Sequence, residues 1–182
     1  MTYDPAAFVS TPAEGRSCGT CTLCCKVFDV PSLEKPAGQW CKHCLPGRGC
    51  GIHETRPQHC RAFHCMWMTA PWLADEWKPE RAKFVLTTDP ATLNLLVQVD
   101  PGQPRAWKQE PFYGQFKRWA QSALAENKHV IVFVNKAATV VLPDRDVEVG
   151  IIGPGDTLSF QKRVTAHGVL VDVKKVSGAA AT

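Results

Sequence analysis

All nine cysteines of this chain fall between positions 18 and 65, a 48-residue window, and the 117 residues that follow contain none. Cysteine used as a small buried hydrophobe would be spread through every element of a core. The segregation instead ties the nine to one site or one group of sites. Their number is odd, and Met1–Ser17 has neither the basic nor the apolar stretch of a secretory leader. A reducing cytoplasm is therefore the expected compartment, and disulfides are the weaker reading.

The order is Cys18-x2-Cys21-x2-Cys24-Cys25, then Cys41-x2-Cys44-x5-Cys50, then Cys60-x4-Cys65. Two residues between cysteines let a tight turn aim both sulfurs at one cation while the intervening amides curl toward the thiolates. Each such pair is half of a tetrahedral site. Cys21-x2-Cys24, followed after sixteen residues by Cys41-x2-Cys44, has the spacing of a zinc ribbon. Adjacent Cys24 and Cys25 do not easily reach one small ion from an extended backbone, because neighbouring side chains diverge. They imply two centres, or one centre plus a packing thiol. Nine sulfurs can fill two four-thiolate zinc sites with one left over, or ligate an iron-sulfur cluster and a further structural site, and the count permits both.

The run C-x2-C-x2-CC at Cys18, Cys21, Cys24 and Cys25 is followed by C-x-I-[YH]-x-x-RP-x-x-CR-x-F-x-C. That second element is carried by Cys50, Ile52, Arg56, Pro57, Cys60, Arg61, Phe63 and Cys65. On these residues the chain resembles the YkgJ family of cysteine-cluster proteins, described as a zinc- or iron-chelating domain. The resemblance covers roughly the first 70 residues. It implies a bound metal or iron-sulfur centre. Some relatives with a similar cluster act in methylation of flagellin lysines, an activity that needs an adenosylmethionine pocket, and this chain has no Gly-rich loop for one. His53 stands where the family usually has tyrosine, and Cys44 where many members have an apolar residue, so Cys44 is the cysteine left out of the expected ligand set.

The expected ligands are Cys18, Cys21, Cys24, Cys25, Cys41, Cys50, Cys60 and Cys65. Four thiolates on a divalent ion carry a formal charge of about −2, which the flanking Arg56 and Arg61 can offset. Alternatively, these two arginines bond loop carbonyls and hold the ligand turns. His43, His53, His59 and His64 lie among the cysteines, with His53 and His64 the better candidates for a ligand, but the thiols suffice without them. Trp40, Trp67, Trp72 and Trp77 read as packing for a lobe short of other apolar area. Cys25, beside Cys24, is the thiol that would serve as a nucleophile if one were spare.

Beyond the cysteines, residues 1–17 read as a polar arm, 18–77 as a loop-rich metal-binding lobe, 78–176 as a conventional folded segment and 177–182 as a tail. Phe112, Phe116, Trp119, Ala120, Ala123 and Leu124 fall at helical spacing, with Pro111 at the start and Asn127 at the end. Strand-like runs at Phe84–Leu86, Leu93–Val99, Val130–Val134, Thr139–Leu142, Val147–Ile152, Thr157–Phe160 and Val169–Val173 predict an antiparallel sheet. The expected class is α+β, a cysteine lobe packed on that sheet with one main helix.

Net charge is +4, with basic residues scattered among acidic ones, which gives no strong nucleic-acid signal. No apolar run is long enough to span a membrane. Phosphate loops, nucleophile elbows and zinc-protease helices are missing from the sequence. The expected activity is cytoplasmic chelation of zinc or iron, the latter also as an iron-sulfur cluster. Two further classes stay open: an iron-sulfur redox protein passing electrons to a protein partner, and a zinc-stapled module that docks a partner.

Overall fold

A computed structural model describes residues 11–166 and 168–178. The first ten residues of the expected arm and the last four of the expected tail lie outside the described residues. The rest of the arm is docked. The Ala13 amide donates to the Met68 carbonyl at 2.8 Å. The Arg16 guanidinium lies 4.7 Å from the Trp67 ring centre and donates to the carbonyls of Trp67, Ala70, Pro71 and Leu73.

The cysteine lobe is made of short pieces. Helix α1 spans Cys24–Val27, strands β1 (Cys44–Leu45) and β2 (Gly49–Cys50) form a small hairpin, and helices α2 (Gln58–Ala62), α3 (Met66–Thr69) and α4 (Pro79–Ala82) follow. No α-helix here exceeds five residues, well below the length at which a helix stands alone in water. Tertiary contact must therefore hold each of them. Leu23, Val27, Trp67, Met68, Leu73 and Trp77 supply that contact, and all are buried.

The second half begins with strands β3 (Phe84–Thr88) and β4 (Leu95–Val99). Helix α5 (Phe112–Ala125) and strands β5 (Val130–Val134), β6 (Ala137–Val141) and β7 (Asp146–Ile151) complete a five-stranded sheet in the order β3-β4-β5-β6-β7. A long hairpin, β8 (Thr157–Thr165) with β9 (Gly168–Val176), forms a separate two-stranded sheet. This is the expected α+β class with one main helix. Within the large sheet, one pairing departs from the antiparallel expectation, because β4 and β5 run parallel. A tight turn cannot join parallel neighbours, and the intervening residues return the chain to the starting end through α5.

The continuous apolar run of β5 is explained by burial on both faces. Val130 and Val132 belong to a core shared with α5 and the cysteine lobe, while Ile131 and Phe133 belong to a second core with Leu142, Val171 and Phe160. The period of two sorts each strand between the layers. The lobe and α5 cover one face of the sheet, and the β8–β9 hairpin covers the other.

The first core runs without a break across the sequence boundary at residues 77 and 78. Cys65, Trp67 and Met68 from the lobe share it with Phe84, Val97, Val99 and Phe116. Trp77 sits at its centre, only 7 % exposed, with ring centres 4.8 Å from Phe112, 5.1 Å from Trp119, 5.7 Å from Phe116 and 6.0 Å from Phe84. An ion pair adds to the joint, with Lys26 Nζ 2.5 Å from Asp100 Oδ1, both largely buried. Trp67 and Trp77 thus pack as the sequence implies, whereas Trp40 and Trp72 are exposed. Trp72, 65 % exposed, meets Trp119 edge-on at 6.0 Å.

Helix α5 ends where Asn127 turns into the left-handed region at φ 56°, a conformation asparagine tolerates better than most residues. Lys128 N then donates to Ala123 O at 2.9 Å and Asn127 N to Leu124 O at 3.3 Å, which closes the last turn. Tyr113 and Lys117 on this helix hold Asp146 of β7 at 3.0 and 2.8 Å, fixing its angle to the sheet.

Candidate metal centre

The cysteine turns are formed by the backbone. Cys21 N donates to Cys18 O at 2.9 Å, closing the first C-x2-C turn, and Cys44 N donates to Cys41 O at 2.9 Å, closing the second. The Cys41 amide bonds the Cys25 carbonyl at 3.0 Å, which pulls the second turn against α1. Hairpin register sets Cys44 opposite Cys50. Gly47 makes the turn with φ 72°, and Gly49 opens β2 with φ 113°, a conformation that strains any residue with a Cβ.

All nine cysteines are free, and none is joined as a cystine. Their sulfurs interact with one another. Cys25 is the focus: the Cys24 thiol donates a hydrogen bond to it, and that bond is the largest cause of a Cys25 pKa lowered to about 6. Burial acts the other way, and a second bond from Cys44 with the nearby Lys35 and Arg56 charges adds to the lowering. Cys24, the donor, is raised well above its ordinary value by that same bond and then by burial. Burial pushes Cys44 up to about 11, with the Cys25 charge adding to it and a hydrogen bond from the Thr22 hydroxyl working against it.

Cys60 is raised first by burial and then by the charges of Cys25, Cys41 and Cys50. Cys65, buried in the core, reaches about 11 through burial, opposed by amides of Met68 and Trp67 and reinforced by Cys18 and Cys21. Burial also raises Cys21, whose sulfur accepts hydrogen bonds from the Leu23 and Glu80 amides. Amides that converge on sulfur are what a thiolate ligand needs.

The two arginines separate by role. Arg61 Nε donates to Arg56 O at 3.0 Å and its Nη2 to Glu54 O, so Arg61 pins the turn before α2. Arg56 faces the sulfurs, lowering Cys18, Cys25 and Cys60, and its Nε is buried without a partner. His59 Nε2 and His64 Nδ1 are likewise buried and unpaired, while His53 is exposed and bonds Glu54 at 3.2 Å.

Sequence reasoning missed Thr22 and Lys35. Lys35 is 6 % exposed and its ammonium donates to Lys26 O at 2.8 Å and to Phe28 O. Reciprocal backbone bonds between Val30 and Lys35, at 2.7 and 3.1 Å, fold the chain back to place it there. Burial lowers its pKa, and the charges of Cys25, Cys41, Asp29 and Cys24 oppose that. The signal was a lone lysine between Leu33 and Pro36, which nothing in the residue pattern marks as buried.

Donor chemistry fits a thiophilic cation: clustered free thiols, opposing cations and orphaned polar atoms in the same lobe. Coordination geometry is not closed, since among the described residues no three His, Cys, Asp or Glu side chains stand where they could hold a metal ion together. In metal-free protein at neutral pH, Cys25 is expected to be the first thiol alkylated by iodoacetamide. Its rate should rise as pH climbs through about 6, while Cys44 and Cys65, at about 11, stay slow. Peptide mapping after brief exposure reads the order, and early labelling of Cys44 or Cys65 would contradict it.

Among the described residues no helix is long and apolar enough to cross a membrane. Comparison with protein-family models, with curated proteins and with solved structures gives no match for this chain.

Proposed function

We propose that this chain is a cytoplasmic metal-binding protein whose N-terminal lobe takes up zinc or iron through cysteine thiolates. The observation that carries the reading is the Cys25 sulfur, which accepts hydrogen bonds from two neighbouring thiols with Lys35 and Arg56 nearby. A thiol lowered by its neighbours and by nearby cations marks a functional site, and eight further free thiols in the same 48-residue window favour a thiophilic cation over a lone nucleophile. The motif resemblance to the YkgJ family supports the same reading on independent grounds, the residues at fixed spacing rather than their surroundings.

Cys18, Cys21, Cys24, Cys25, Cys41, Cys50, Cys60 and Cys65 are the ligands in this reading. Arg56 and Lys35 oppose their charge, and Arg61 keeps the α2 turn in place. Zinc, when bound, supplies a closed structural staple, and iron supplies a centre able to change oxidation state. Binding releases thiol protons, so affinity falls as the medium is acidified.

Metal and acid-labile sulfide analysis of protein purified without oxygen is the test. Stoichiometric zinc without sulfide, or iron with sulfide, is expected, and the two results separate a structural from a redox centre. A chain that emerges metal-free, retains neither zinc nor ferrous iron through gel filtration, and keeps its fold in chelator would sink the reading.

A further inference from the structure

A cavity of about 270 Å3 lies where the docked arm meets the start of α4, and we propose that it binds a phosphate group. Arg16 and Ser17 of the arm, Trp67 of α3, and Asp75, Lys78 and Arg81 line it. None of its lining residues is a cysteine, so the site stands apart from the thiol cluster and from the metal reading.

The backbone brings one wall together. Asp75–Trp77 makes a single 3-10 turn, and α4 follows from Pro79. Lys78 N donates to Asp75 O at 3.1 Å, and Arg81 N to Lys78 O at 2.8 Å. Residues three apart across such turns share a side, so Asp75, Lys78 and Arg81 meet at the cavity while Trp77 between them enters the aromatic core. Arg16 forms the other wall, fixed by the four carbonyls it bonds. Its guanidinium lies 4.7 Å from the Trp67 ring centre, and Lys78 Nζ lies 5.4 Å from the same centre. These contacts exist without a ligand, so binding has little side-chain order left to create.

Charge and unmet donors select the ligand. Three cations line the cavity against the single carboxylate of Asp75. Every bond that Arg16 makes among the described residues is to a neutral carbonyl, which leaves its charge uncancelled. Glu80, outside the lining, offsets part of the Lys78 charge at 2.8 Å. Arg81 is exposed and has no hydrogen bond or ion pair among the described residues, so its planar fork is open to two oxygens of one phosphate. A phosphate group, at about −1.5 to −2 near neutral pH, answers this excess better than a chloride or an acetate. Trp67 is 7 % exposed and its indole Nε1 is buried without an acceptor, an unmet donor on a ring of the cavity wall. Sites for drug-sized ligands begin near about 300 Å3, so the space suits a small anion.

Calorimetric titration of the full chain, as purified, with inorganic phosphate and with phenyl phosphate tests this, beside acetate at matched ionic strength. One phosphate per chain is expected, with acetate at least about tenfold weaker. Arg81→Ala should weaken phosphate binding by about tenfold. Asp75→Asn removes the opposing carboxylate and should tighten it several-fold. Arg118→Ala, which removes an exposed arginine of α5 outside the cavity, should leave it unchanged. Either phosphate compound binding in this pattern supports the site, and the tighter of the two shows whether the anion arrives free or on a larger molecule. Circular dichroism and metal content, equal to the parent's in each variant, check that fold and metal are unaltered. Phosphate held by a bound metal ion would survive Arg81→Ala, and that survival would overturn the proposal. Equal losses in Arg81→Ala and Arg118→Ala, weaker binding in Asp75→Asn, or no saturation by about 10 mM phosphate would overturn it as well. None of these results bears on whether the thiols take a metal.

Discussion

Replacing Trp77 with alanine is expected to cost about 3–5 kcal/mol of folding free energy. Its indole contacts four aromatic rings from β3 and α5 at centre separations of 6.0 Å or less. Edge-on pairs of this kind add to area burial, and the space left behind is enclosed by side chains that cannot all relax into it. Since domains of this size are stable by only about 5–15 kcal/mol, the variant should show a much lower urea midpoint at an unchanged slope. Trp77→Phe keeps part of the ring contact and should lose about half as much. A loss under about 1 kcal/mol for the alanine variant would show that the aromatic cluster is not the joint between the two parts of the chain.

Lys35→Met is the second large effect. The ammonium holds two carbonyls, those of Lys26 and Phe28, and its removal leaves both without a donor in a buried setting. About 1–3 kcal/mol should be lost on that account. A packing role predicts nothing more, but a charge role does. Cys25 owes its lowered pKa first to the Cys24 hydrogen bond and in part to the Lys35 charge, so in the methionine variant the midpoint of its alkylation rate against pH should move upward from about 6, with the slowing clearest at and below that pH. Lys35→Arg keeps the charge and should recover the rate. If the methionine variant reacts as fast as the parent, Lys35 is a structural anchor and has no part in setting the thiolates.

Much of the fold could be read from the residues because each pattern had a simple physical cause. Phe112, Phe116 and Ala120 are buried along α5 as their spacing requires, and Pro111 and Asn127 flank it where chain geometry asks for them. The strand positions followed from β-branched runs between turn residues. Pairing direction did not, because direction depends on how far the connection travels, and residues 100–129 combine loop and helix in a way no local period encodes. The lobe's secondary structure was unreadable for another reason: helices of four or five residues carry too little periodicity to register.

At the site, spacing named the cysteines but could not reveal their company. Cys44, set aside because of a family comparison, lies in hydrogen-bond contact with Cys25. Arg56 and Arg61 look equivalent in the sequence, five residues apart, yet one faces sulfur and the other faces carbonyls. Only the fold-back at Val30 and Lys35 shows why a lysine sits beside thiols, since that contact depends on two backbone bonds and not on residue type.

The unbroken core between lobe and sheet has a consequence for how such a chain can be divided or reused. A fragment cut after Trp77 would carry an indole with no rings to enclose it, and the remainder would leave Phe84, Phe112 and Phe116 open to water. The Cys-rich stretch is therefore not a portable cassette: transplanted to another scaffold, it would need the aromatic socket of its own helix to travel with it.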